Sequence, residues 1–289
     1  MNLSHADHGT SPPRVEIPRQ FNAAHDLLAR NASRAGKAAF VDAASGAQLT
    51  YGELTRQAHQ LANALRARGL APETRVMVAM LDTPEWPVVF LGCMLAGLVP
   101  VAANTLLTAR DFEFMLRDSR AQALFVSQPL PATFEPLLPQ LPGLRHVFVA
   151  GTEGDRSVAA LVQSGDATPQ VAGTCADDAA FWLYSSGSTG TPKGTVHLHS
   201  HLIQTAELYA RPILGIRETD VVYSAAKLFF AYGLGNGLTF PMSVGATAVL
   251  LPSRPTPGDV FKVLRQYQPT IFYGVPTLYA ALLADAGRP

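Results

Sequence analysis

An α/β fold built as two mostly parallel sheets flanked by helices is the class this sequence predicts, and three features predict it. Short β-branched or apolar runs alternate with longer patterned stretches along nearly all 289 residues, as expected for parallel strands joined by crossover helices. About ten such runs occur, at 39–42, 75–81, 98–102, 123–127, 145–149, 180–184, 194–199, 221–224, 246–251 and 270–273, too many for one tidy sheet. Between 152 and 178, Gly, Ser, Thr, Asp and Pro collect and apolar periodicity weakens except around 158–162, which marks an internal boundary. The expected division is a flexible lead-in over 1–17, a first α/β subdomain over 18–170 and a second over 171–289.

The clearest helix begins at Thr50. Thr50 and Glu53 have capping-box spacing, Leu54, Ala58, Leu61 and Leu65 share one helical face, and Gly69 supplies the stop. The strand at 75–81 (RVMVAML) follows. Residues 86–103 (WPVVFLGCMLAGLVPVAA) carry no charge over about the length of a bilayer span. Pro87, Gly92, Gly97 and Pro100 break that run, so it reads as a buried helix followed by a buried strand. Residues 233–251 are also uncharged, but Asn236, Thr239, Pro241 and Ser243 make them a poor membrane segment. The Pro-rich stretch 130–142 reads as a surface connection.

Composition narrows the partners. Lys and Arg total 22 against 22 Asp and Glu, with 48% hydrophobic and 15% charged residues, so the chain is globular and has no electrostatic reason to take nucleic acid or an anionic membrane as its main partner. An anion must be held locally. The two cysteines, Cys93 and Cys175, lie far apart and form no disulfide framework, which fits a reducing, cytoplasmic compartment. The N-terminus lacks the apolar segment of a secretory signal. Only four residues are lysine (Lys37, Lys193, Lys227 and Lys262), so each position is informative.

One of them closes the densest cluster of hydroxyls and glycines. Ser185, Ser186, Gly187, Ser188, Thr189, Gly190, Thr191, Pro192, Lys193 and Gly194 join the apolar run at 181–184 to the next strand. The glycines let the backbone approach a ligand, the hydroxyls donate hydrogen bonds, Pro192 stiffens the chain and Lys193 adds a point charge. Such a set suits a polyphosphate. It is not a Walker loop, because proline stands where glycine must precede the lysine, and a strand rather than a helix follows.

The segment YSSGSTGTPKG, residues 184–194, resembles the signature phosphate loop of the acyl-adenylate-forming enzymes. Residues 49–70 resemble that family's early helix, and 92–108 its buried helix, strand and substrate-side loop; the likeness covers about 18–289. It implies ATP-dependent activation of a carboxylate: the carboxylate attacks the α-phosphorus, pyrophosphate leaves, and a thiol, usually that of coenzyme A, takes the acyl group. By this resemblance Ser185, Ser186, Gly187, Ser188, Thr189, Gly190 and Thr191 hold the β- and γ-phosphates, and Lys193, the catalytic candidate, neutralises departing pyrophosphate with Mg²⁺ supplying further charge.

KLFFAYGLGN, residues 227–236, resembles the acyl-pocket segment of benzoate-CoA ligases and their aryl-acid relatives. Ala231 and Gly233 then leave room for a flat ring, while Phe229, Phe230 or Tyr232 supply apolar walls. Lys227 either attracts the carboxylate or reaches solvent. Val275, Pro276 and Thr277 fall at the family's strand-to-helix turn near the substrate. His197, His199 and His201 alternate as a metal site would, but no acidic or thiol ligand accompanies them and the family places a histidine at position 199 without a metal.

Beyond this point the family carries an aromatic-Gly-x-Thr-Glu motif for adenine and Mg²⁺, a ribose-binding aspartate and a C-terminal lid with its own lysine, none of which occurs in these 289 residues. The expectation is an N-terminal portion of a benzoate-type acid-thiol ligase, with an incomplete second subdomain and no activity by itself. Its small-molecule partners would be an aryl acid, ATP and CoA, and the full-length protein could form a homodimer. The competing expectation is a non-catalytic nucleotide- or acyl-binding fragment or pseudoenzyme.

Overall fold

The computed structural model of the chain describes residues 1–185 and 192–288. Its strands in chain order are β1 (His5–Asp7), β2 (Arg14–Glu16), β3 (Ala38–Asp42), β4 (Gln48–Thr50), β5 (Arg75–Ala79), β6 (Val99–Ala102), β7 (Ala123–Ser127), β8 (His146–Ala150), β9 (Ala179–Ser185), β10 (Lys193–Leu198), β11 (Val221–Ser224), β12 (Thr247–Leu250) and β13 (Ile271–Tyr273). Two large sheets organise eleven of them, in the orders β10-β9-β6-β5-β7-β8 and β13-β11-β12-β3-β4, and β1 pairs with β2 as a separate two-stranded ribbon. Within these, β10 is antiparallel to β9 and β4 to β3, and the other pairings are parallel. The expected α/β class with two mostly parallel sheets is what forms.

Each of the ten predicted runs contains a strand, with ends shifted by a residue or two; β5, for example, stops at Ala79 rather than at 81. The strands missed are β1, β2 and β4, each three residues long and too short to show a period. The sheets also exchange strands across the 170/171 division expected from the sequence. β3 and β4 join the sheet of β11–β13, while β9 and β10 complete the sheet of β5–β8. The cause is a non-local parallel register, Phe40 to Ala248 and Val41 to Val249, that no local composition signals.

Helix α1 (Ala23–Ala29) is capped by Asn22, whose Oδ1 accepts from His25 N at 3.2 Å. In α2 (Tyr51–Ala67) the capping box is complete: Glu53 N donates to Thr50 Oγ1 at 3.2 Å and Thr50 N to Glu53 Oε2 at 2.9 Å. The chain leaves α2 through Gly69, at φ +76°. The apolar face Leu54, Ala58, Leu61 and Leu65 is fully buried against α3 (Glu85–Leu95). Gly92 permits that approach, since a Cβ there would lie 2.7 Å from Leu61 Cδ2 and 3.0 Å from the Ala58 carbonyl.

Residues 86–95 are buried all round, which accounts for their lack of charge and of a polar face. Trp86 stacks on Phe90 at 4.8 Å and Phe90 meets Phe181 edge-on at 5.4 Å, joining helix to sheet. The uncharged run is thus an 11-residue helix followed by β6. Among the described residues no helix is long and apolar enough to cross a membrane.

Two segments differ from expectation. Residues 1–17, expected as a flexible lead-in, hold the β1–β2 hairpin and dock on buried acids: Ser4 N donates to Asp26 Oδ1 at 2.7 Å, and His8 Nε2 lies 2.9 Å from Glu207 Oε2. Arg30 also contacts both acids, so the hairpin completes a network around two carboxylates that could not stay buried unpaired. The stretch 130–142 is no mere surface connection. Phe134, Leu137 and Leu141 are buried, and Phe134 packs 4.5 Å from Phe112 of α4 (Ala109–Ser119).

Candidate active site

The chemistry-bearing segments gather at the C-terminal ends of parallel strands, where open α/β sheets place their ligands. β9 ends at Ser185 and β10 begins at Lys193, and the ladder sets these two residues opposite each other. Both are exposed. Ser186, Gly187, Ser188, Thr189, Gly190 and Thr191 lie outside the described residues.

The two strands carrying this connection are fixed from below. Tyr184 Oη donates to Asp118 Oδ2 of α4 at 2.5 Å, and burial together with that carboxylate pushes the phenol pKa well up, so Tyr184 stays a neutral donor. A Cβ at Gly194 would lie 3.1 Å from Trp182 Cε3 and 3.4 Å from Tyr184 Cζ, so glycine lets β10 sit against those rings. The Arg75 guanidinium lies over Trp182, 5.9 Å from the ring centre.

The second segment follows β11. Leu228 and Phe229 are core residues, whereas Phe230, Ala231 and Tyr232 are exposed, with Phe230 47% and Tyr232 49% accessible. Of the three aromatics proposed as pocket walls, Phe229 therefore backs Phe230, ring centres 4.6 Å apart, while Phe230 and Tyr232 present free surface. Tyr232 meets Tyr273 edge-on at 6.3 Å, and its hydroxyl donates to the Gly274 carbonyl at 3.4 Å.

Gly233 has a local reason beyond leaving room for a ring. A Cβ there would fall 2.0 Å from the Lys227 carbonyl oxygen and 2.6 Å from that of Ala226, so its missing side chain lets the segment fold back on its own backbone. A cleft of about 280 Å³ opens at the ends of β11 and β13, lined by Ala225, Ala226, Arg254, Val275, Thr277 and Leu278 among others. Val275 and Thr277 line it, whereas none of Phe230, Ala231 and Tyr232 does. A larger cleft of about 560 Å³, lined by Arg117, Arg120 and Arg145 among others, contains no residue of either segment.

Lys227 neither reaches out as a carboxylate receptor nor runs free into solvent. Its ammonium donates to the Leu251 carbonyl and, at 2.7 Å, to that of Ser253, and lies 4.0 Å from Asp82 Oδ2. Burial lowers its pKa and Asp82 opposes that. Asp82 is itself buried and accepts from Leu228 N at 3.2 and 3.3 Å; burial raises its pKa to about 6 against the opposing pull of Lys227 and the Leu228 amide.

Sequence reasoning missed Asp82, which stands alone between strand and helix with no motif around it. It also missed two π-helical stretches, Ala206–Leu214 and Gly235–Thr239, on either side of the pocket segment. Pro212 within the first and the Gly-x-Gly spacing at the start of the second were the available signals.

The three alternating histidines have separate tasks. His197 stacks on Phe181 at 4.5 Å, and His201 Nδ1 accepts from Leu198 N at 3.2 Å. His199 is buried, its Nδ1 accepts from Ala23 N at 3.1 Å, and burial lowers its pKa to about 4. Among the described residues one group of potential metal ligands stands together, Cys175, Asp177 and Asp178. It is already engaged, with Asp177 3.2 Å from Arg19 and Asp178 accepting from Cys175 N at 2.7 Å.

Residues 28–289 match the family model described as AMP-binding enzyme. The chain is 57% identical to a benzoate-CoA ligase of Thauera aromatica, over 99% of this chain and 55% of the relative. It is 46% identical to a 4-hydroxybenzoate-CoA/benzoate-CoA ligase of Rhodopseudomonas palustris, over 92% and 50%. Its fold superposes on a crystal structure of a benzoate CoA ligase from Burkholderia xenovorans with TM-score 0.87 at 49% identity, covering 93% of this chain and 53% of the other. An anthranilate CoA ligase in complex with anthranoyl-AMP gives 0.88 at 36% identity, with coverage of 93% and 52%. The chain spans about half the length of the curated relatives it matches. On this match and on the two-sheet architecture that carries the loop between β9 and β10, the chain belongs to the AMP-binding enzyme family.

Proposed function

We propose that the protein carrying this chain activates benzoate, or an aryl acid close to it, with ATP and passes the acyl group to coenzyme A. A carboxylate oxygen attacks the α-phosphorus and pyrophosphate leaves; the thiol sulfur then attacks the acyl carbonyl and AMP leaves. The observation that carries this reading is the 57% identity to a benzoate-CoA ligase in an alignment covering 99% of the chain, which takes in both the 184–194 and 227–236 segments.

Each segment supports a role. Lys193, exposed at the start of β10 and opposite Ser185, is assigned to neutralising the leaving pyrophosphate, and its exposure supports that role. Ser185, Ser186, Ser188, Thr189 and Thr191, with Gly187 and Gly190, are assigned to the phosphates. Phe230, Ala231 and Tyr232 offer the flat apolar surface an aryl ring needs, and Gly233 lets their backbone turn.

Mg²⁺ enters this reading as the counterion of ATP. Cys175, Asp177 and Asp178, the group of potential metal ligands among the described residues, are engaged in internal contacts and are assigned no part in holding it. Two free cysteines, Cys93 buried, suit a reducing, cytoplasmic setting.

In the full-length protein, Lys193→Ala is expected to lower benzoate-dependent pyrophosphate release about 10²-fold, the usual loss when one electrostatic donor to a transition state is removed. The thermal midpoint should hold, because the side chain is exposed. Unchanged kinetics would refute the role given to Lys193.

A further inference from the structure

We infer that Asp82 is a positioning residue for the aryl-acid pocket: with Lys227 it clasps the start of the 228–233 segment to the end of the other sheet and so fixes where the aromatic walls stand. The inference rests on the functional reading above and adds to it a residue outside both recognised motifs.

Asp82 follows β5 of the first sheet, and its carboxylate accepts the Leu228 amide, at 3.2 and 3.3 Å, from the segment that follows β11 of the second. One residue earlier, Lys227 lies 4.0 Å from the same carboxylate and donates to the carbonyls of Leu251 and Ser253 beyond β12. Three strand ends, two in one sheet and one in the other, thus meet at one ion pair. From that knot the chain runs through buried Leu228 and Phe229 directly to exposed Phe230, Ala231 and Tyr232. An error in the angle at Leu228 would carry over to the rings two and four residues on.

Energetics favour position over stability as the reason for this pair. Burial moves Asp82 up and Lys227 down, each toward its neutral form, so desolvation outweighs their attraction. The attraction between the two charges by itself therefore adds little to stability. The two side chains nevertheless direct four hydrogen bonds at backbone groups of Leu228, Leu251 and Ser253, and an apolar pair could make none of them.

The test uses the full-length protein with three substitutions: Asp82→Asn, which keeps an acceptor oxygen; Asp82→Ala; and Asp82→Leu combined with Lys227→Met. Two readouts are needed, hydrogen exchange of the peptide spanning 227–234 and the Michaelis constants for benzoate and ATP in pyrophosphate release. Asp82→Ala and the double variant should raise exchange in that peptide and raise the benzoate KM about tenfold, the range for a buried amide left without its acceptor, with the ATP KM moved little. The double variant should lower the denaturation midpoint less than Asp82→Ala, which leaves the Lys227 ammonium buried without its carboxylate, and Asp82→Asn should restore most of the benzoate KM.

Exchange in 227–234 that stays at wild-type levels in Asp82→Ala overturns the clasp. Raised exchange with an unchanged benzoate KM, or with benzoate and ATP KM rising together, overturns the positioning role. A wild-type protein that releases no benzoate-dependent pyrophosphate overturns the functional reading and the specificity role with it, while the exchange data still decide whether the clasp exists.

Discussion

Two buried titratable residues set opposite pH dependences. Asp82 has a pKa raised from 3.8 to about 6, so over that window the unfolded chain ionises it while the folded chain does not, and stability falls as pH rises. His199 is lowered from 6.5 to about 4; across its window the unfolded chain takes up a proton that the folded one refuses, so stability rises with pH and is fully present above 6.5. The two slopes largely cancel in the wild type. Asp82→Asn should therefore leave a net gain in stability as pH rises from about 4 to 6. His199→Asn, which keeps an acceptor for the Ala23 amide, should leave a net loss over the same range. Urea midpoints across this range check both, and profiles parallel to wild type would contradict the assignment. Gly233→Ala forces a Cβ onto the Lys227 carbonyl and should destabilise the protein by about 1–3 kcal/mol, read as a lowered thermal midpoint; an unchanged midpoint would show that the turn relaxes freely. At this scale the sequence was partly legible. The hydroxyl-rich loop shows itself by composition and the aromatic segment by its resemblance to the aryl-acid ligases, but Asp82 and His199 owe their character to neighbours brought from 146 and 176 residues away.

At the scale of elements, local signals were reliable where local physics decides. The capping box of Thr50 and Glu53 and the stop at Gly69 stand where spacing put them, and the uncharged run at 86–103 is a helix and a strand divided at Gly97, φ +77°, whereas Pro87 and Gly92 lie inside the helix and Pro100 inside the strand. Thr50→Ala removes the acceptor for the Glu53 amide at an exposed cap and should cost about 1 kcal/mol, measured as a shift in denaturant midpoint without a change in slope. A shift near zero would mean that packing of α2 on α3 alone holds the helix start. Local signals failed where a segment is ordered by distant partners. The β1–β2 hairpin docks because Asp26 and Glu207 are buried, and the 131–141 stretch packs because Phe112 offers a ring. Neither partner is visible in the segment's own composition.

At the scale of the whole molecule, the β9–β10 pair belongs to one sheet and the aromatic segment follows β11 of the other, and the two sheets are joined at their strand ends through Asp82 and Leu228. The α/β class and the number of sheets were readable from the alternation of patterns. The exchange of β3, β4, β9 and β10 between sheets was not, because register over some two hundred residues leaves no local trace. The central claim concerns what this arrangement activates. The most direct test is ATP-dependent pyrophosphate release by the full-length protein with benzoate, acetate, a long-chain fatty acid and an amino acid as alternative acids. The predicted result is the highest kcat/KM with benzoate. A preference for any of the other three would contradict an aryl pocket built from Phe230, Ala231 and Tyr232.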